Sequence, residues 1–205
     1  MKANQKITNL TQLSLLTALV VALQMLSAVI PPIGGTVSIT LTLVPVVIGG
    51  IILGKKGGAV LGFAFGVIVL INCVVALDPG GNILWNASPL LTALICLVKG
   101  TAAGFLPACL YGLVRGNGAA GEGRMFAATL VAALSAPIVN TGLFIAGMAL
   151  LFKDTLYLWA GETNVVTYAL LGLAGLNFLV EFIINIVLTP AILRIITVVT
   201  KKGKV

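Results

Sequence analysis

Leu176-Asn177-Phe178-Leu179-Val180-Glu181-Phe182-Ile183-Ile184-Asn185-Ile186-Val187-Leu188 is an apolar run carrying one carboxylate and two carboxamides at intervals of four. Residues four apart on an α-helix share a face, so Asn177, Glu181 and Asn185 form one polar stripe. A charge deep in a bilayer costs at least about 2.5 kcal/mol unless it is paired or faces a cavity. A second such charge, Lys99, stands in Leu94-Ile-Cys-Leu-Val-Lys99-Gly-Thr-Ala-Ala-Gly104. One acid and one base on different helices imply a polar site inside a helical bundle, and therefore a polar cargo.

The rest of the chain reads as membrane. Of its 205 residues 60% are hydrophobic and 8% charged, with a mean hydropathy of +1.18. Soluble domains carry about 25% charged residues, so an ordinary globular protein is excluded. A helix needs roughly 20 apolar residues to cross the hydrocarbon core. The length then provides for a single integral membrane domain, 1–205, with no separate soluble domain. The expected architecture is an all-α membrane protein, a six-transmembrane-helix bundle. Its helices fall at approximately 10–30, 39–54, 58–77, 89–114, 125–152 and 165–199.

Local punctuation places these ends. Pro31-Pro32 closes the first segment, Pro45 breaks the short second one, and Lys55-Lys56-Gly57 makes a tight turn into the third. Asp78 to Ser88 reads as a loop able to cover a pocket with Trp85 and Asn86. A glycine-rich basic loop spans Arg115 to Arg124, and Lys153 to Asn164 connects the last two helices. Lys2 and Lys6 ahead of an apolar run resemble a signal peptide, but the run is as long as a full span and reads as an uncleaved first helix.

Orientation follows from the basic residues. Lys2, Lys6, Lys55, Lys56, Arg115, Arg124, Arg194, Lys201, Lys202 and Lys204 fall on one side of a six-span chain, and only Lys153 on the other. Positive loops stay in the cytoplasm, so both termini are expected to be cytoplasmic. The net charge of +7 is thus a topological signal and not a nucleic-acid footprint. A multi-pass protein of the prokaryotic plasma membrane is expected.

Catalytic chemistry finds no support. With no histidine, a Ser-His intramembrane protease and a His-ligated metal are excluded; there is no P-loop and no paired aspartate set. Cys73, Cys96 and Cys109 read as small buried hydrophobes. No catalytic residue, metal or cofactor is expected.

The polar residues admit several readings. In one, Lys99 and Glu181 neutralise each other and the asparagines tie helices together. In another, Lys99, Asn140, Asn177 and Glu181, with Trp85 and Asn86 above, line a pocket open to the outside, and Lys99 holds a carboxylate or phosphate. A proton relay through Glu181 is a third. Asn140 and Thr141 follow Pro137, which frees backbone carbonyls, and Asn72 adds a polar group to the third span. Small residues four apart mark close helix contacts: Ala18 and Ala22, Gly58, Gly62 and Gly66, Gly100 and Gly104.

The stretch Ser38-Ile-Thr-Leu-Thr-Leu-Val-Pro-Val-Val-Ile-Gly-Gly-Ile-Ile-Leu-Gly54, followed by Gly58-Ala-Val-Leu-Gly62-Phe-Ala-Phe-Gly66, resembles the substrate-binding S components of energy-coupling factor (ECF) vitamin transporters. Ala18 and Ala22 match that family's AxxxA signature. Lys99 to Gly104 and Ala136 to Thr141 resemble its fourth and fifth helices. The resemblance implies high-affinity binding of a vitamin-like molecule from outside. It also implies docking through Ala18 and Ala22 onto a module of one transmembrane coupling protein and two ATP-binding subunits. The Thr-Leu-Val-Pro-Val-Val-Ile-Gly stretch looks more like the pantothenate-type and related branches than the riboflavin branch, so pantothenate is the first expectation; pyridoxine-like, folate, riboflavin and nucleoside-derived ligands stay open. The alternative is a stand-alone proton-coupled secondary carrier using Glu181.

Overall fold

The computed structural model describes residues 2–29, 42–117 and 121–202, and among these the ordered secondary structure is helical throughout. The helices are α1 (Lys2–Val29), α2 (Leu43–Ile52), α3 (Gly54–Val74), α4 (Pro79–Ala87), α5 (Pro89–Arg115), α6 (Glu122–Leu151) and α7 (Lys153–Ala160). A single turn, α8 (Val165–Thr167), runs into a π-helical stretch, Tyr168–Ala174, and then α9 (Gly175–Lys202).

Among the described residues, five stretches are long and apolar enough to cross a membrane: Lys6–Ser27, Gly54–Val74, Pro89–Arg115, Glu122–Leu151 and Phe178–Val199. The chain is a multi-pass membrane protein. The second expected span is represented by the shorter α2, whose 10 residues rise about 15 Å; residues 39–41 of that segment lie outside the described residues. Pro45 does not break it. It sits in the first turn of α2, where its missing N–H costs no hydrogen bond.

Three connections differ from the expectation. Lys55, Lys56 and Gly57 belong to the first turn of α3, and the turn itself is one residue earlier, at Gly54 with φ +78°. Only glycine takes that backbone without strain. Asp78 to Ser88 is the helix α4 and not a loop. Asp78 Oδ1 accepts the Gly81 N–H at 3.1 Å, and Pro79 occupies the first helical position, so Asp-Pro acts here as a helix start. Lys153 to Ala160 is likewise helical, and the sixth helix is interrupted by the π-helical stretch and by Gly175 at φ +30°.

Without a hydrophobic force between helices in lipid, close backbone approach holds the bundle. The α3–α5 seam shows this most directly. A β-carbon added at Gly58 or Gly62 would collide with the carbonyl oxygen of Gly104 or Gly100, and one at Gly66 would lie 2.6 Å from the Cys96 carbonyl. Around the seam, Leu43, Val46, Leu61, Phe65, Ala103, Ala128 and Ala132 build the core. On the far side of α6, Ala133 meets Ile48, Ile192 and Ile196 from α2 and α9.

The first helix stands apart from this. It buries Val20, Gln24 and Ser27, and Thr42 Oγ1 donates to Gln24 Oε1 at 2.8 Å, tying α1 to the start of α2. Most of its remaining surface is exposed, Ala18 and Ala22 included.

Candidate functional site

The polar interior begins with α5. Thr92, Cys96 and Lys99 recur at helical spacing, so they share the face that α5 turns toward α3 and α6. Lys99 lies ten residues into α5, about 15 Å along its axis. Its side chain is half-buried, and its ammonium lies 4.8 Å from the centre of the Phe144 ring on α6. A cation held over an aromatic face is stabilised by about 0.5–2 kcal/mol, most where water is excluded.

Beside Lys99 is a small cavity of about 40 Å³. From α3 it receives Cys73, from α5 Thr92 and Cys96, from α6 Phe144 and from α7 Trp159. The α4 helix closes it with Asp78, Gly80, Gly81 and Leu84. Gly81 allows that closure, since a β-carbon there would meet Cys73 Sγ. Asn82 Nδ2 donates to the Cys73 carbonyl at 2.9 Å, and the Asp78 N–H donates to the Asn72 carbonyl at 3.2 Å. The cavity therefore has an ammonium at its base and a carboxylate and a hydroxyl along its walls, with a short helix fastened across it by two hydrogen bonds.

The expected site residues are distributed more widely. Lys99 lines the cavity. Asn140, one turn along α6 from Phe144, is buried, and among the described residues no donor reaches its Oδ1. Trp85 packs against the main core and Asn86 is exposed, donating to Asn82 Oδ1 at 3.0 Å; neither lines the cavity. The stripe on α9 is real as a buried face. Glu181 is 4% exposed and Asn185 is 1% exposed. Asn185 Nδ2 donates to the Glu181 carbonyl at 2.8 Å, and Thr189, also buried, extends the stripe by donating to the Asn185 carbonyl. The Asn177 side chain lies outside the described residues. Among the described residues none of α9 lines the Lys99 cavity, so Lys99 and the buried face of Glu181, Asn185 and Thr189 mark two places in the bundle.

Several cavity residues escaped sequence reasoning. Asp78 was hidden by the loop assignment, and Trp159 lies in the segment Lys153 to Asn164, read as a connection. Thr92 was within reach, since it lies seven residues before Lys99 on the same helical face.

A bundle of membrane-crossing helices around buried polar groups defines an integral membrane protein with a small chamber, largely apolar but carrying Asp78, Thr92 and Lys99 in its lining. No family model matches the chain. It is similar to the pantothenic acid transporter PanT of Lactococcus lactis subsp. cremoris (strain MG1363), with 28% identity over 166 residues, 77% of each chain.

Proposed function

We propose that the chain is the substrate-binding S component of an ECF-type importer and that its ligand is pantothenate. The observation that carries this reading is the Lys99 cavity, together with the similarity to a pantothenic acid transporter. A half-buried ammonium suits a carboxylate, and a charge-assisted hydrogen bond of that kind contributes about 1.5–3 kcal/mol. Asp78 and Thr92 suit hydroxyl and amide groups along the rest of such a molecule. The role is transport and not catalysis.

A cavity of about 40 Å³ holds a few waters at most. Ligand entry then requires α4 to move away from Cys73, breaking the Asn82 hydrogen bond described above. Both termini face the cytoplasm in this reading, and the six segments act as one domain. Ala18 and Ala22, exposed on α1 opposite its buried stripe, are the surface that meets the transmembrane coupling protein, with the two ATP-binding subunits beneath.

The test is equilibrium titration of the detergent-purified chain with pantothenate, alongside mass spectrometry of small molecules released on denaturation. Saturable, ion-independent binding by the chain alone supports the reading. Absence of both a released vitamin-like compound and saturable binding would sink it. The buried Glu181 favours a second reading, a proton-coupled carrier. Uptake by this chain without partners, abolished by collapsing the proton gradient and by Glu181→Gln, would establish that reading instead.

A further inference from the structure

At the end of the bundle where the basic residues gather, a groove of about 300 Å³ lies between the first turns of α1 and the α2–α3 joint. It is shallow and open: Leu10, Leu13 and Leu53 give it an apolar floor, Lys6 and Asn9 form its polar rim, and Gly57 packs directly against Leu53. Lys55 and Lys56, exposed in the first turn of α3, flank the same joint. Leu53 precedes α3 and offers no side-chain cap, so the first N–H groups of that helix add to the local positive potential.

The level of the groove along the spans decides what it can hold. It opens where the spans Lys6–Ser27 and Gly54–Val74 begin, which is the level of the lipid headgroups. An occupant must offer negative charge at the rim and hydrocarbon along the floor. A free anion leaves three leucines wet, and a zwitterionic lipid brings its own cation to the lysines.

We propose that this groove binds an anionic phospholipid of the surrounding leaflet, its phosphate held by Lys6, Lys55 and Lys56 and one acyl chain laid along Leu10, Leu13 and Leu53. Each lysine near a membrane surface strengthens attraction to anionic lipid by about fivefold, so three together discriminate clearly between lipid classes. The site is separate from the Lys99 cavity, and its failure would leave the proposed function standing.

The experiment reconstitutes the wild-type chain in nanodiscs of equimolar phosphatidylglycerol and phosphatidylcholine, then counts lipids retained after gentle release by native mass spectrometry. Preferential retention of phosphatidylglycerol is expected. The Lys6→Gln/Lys55→Gln/Lys56→Gln variant should lose that retention by about tenfold or more, in line with the per-lysine effect. Leu10→Trp, which fills the floor and keeps the charges, should also weaken it, whereas Lys153→Gln at the other end should not. Equal retention of the two lipids by the wild type would overturn the proposal even if the triple variant failed to fold. So would undiminished retention in a folded triple variant, or full displacement of phosphatidylglycerol by inorganic phosphate, which would mark a site for free anions.

Discussion

The Lys99 ammonium rests over the Phe144 ring, 4.8 Å from its centre, and so joins α5 to α6 at the base of the chamber that α4 covers. An ammonium in that position is stabilised without being neutralised. The aromatic face offsets part of the cost of holding the ammonium away from water.

Lys99→Met keeps the bulk of the side chain and removes the charge. Pantothenate affinity, read by calorimetry on the purified chain, should fall at least tenfold, in keeping with loss of a charge-assisted hydrogen bond. Unchanged affinity in a well-folded variant would assign Lys99 to bundle structure alone.

Asp78→Ala removes the cap of α4, a change worth about 1 kcal/mol. Amide exchange across 79–87 should quicken while α5 and α6 keep their protection. Asp78→Asn, which still accepts the Gly81 N–H, should restore most of it. Exchange that is the same in all three proteins would show that the cap does not hold α4.

Gly62→Val should destabilise the bundle by about 1–3 kcal/mol or prevent folding, because the added atoms overlap the Gly100 backbone, which cannot yield as a flexible side chain would. Gly112→Ala is the control, since nothing lies within 4 Å of its added β-carbon. Thermal midpoints in detergent separate the two; equal midpoints would contradict the seam.

Ala18→Trp and Ala22→Trp alter an exposed face of α1. Ligand binding by the isolated chain should be preserved, and ATP-driven uptake in cells should be lost. A tryptophan variant that transports normally would remove the docking role from this face.

How much of this was legible beforehand depended on the range of the cause. The membrane class, the places of the long helices and the polarity of the α9 stripe follow from composition and period, which act within one helix. Ala18 and Ala22 were visible as a spacing; that they face outward, opposite Val20 and Gln24, depended on how α1 packs. The loop assigned to Asp78–Ser88 failed because proline and glycines there were weighed as breakers, while Asp78 and Pro79 in fact start a helix.

By itself, then, the sequence determined a multi-pass helical membrane protein with charged residues inside its apolar spans at Lys99 and Glu181, because a bilayer enforces internal hydrogen bonding segment by segment. Only the tertiary structure decided which polar groups meet. It brought Asp78, Thr92, Lys99 and Trp159 from three elements around one cavity and set Glu181 on another helix outside its lining. The reason is that helix rotation and depth are set by packing. The glycine seam between α3 and α5 fixes both to within an atom's width, and no period along a single helix records them.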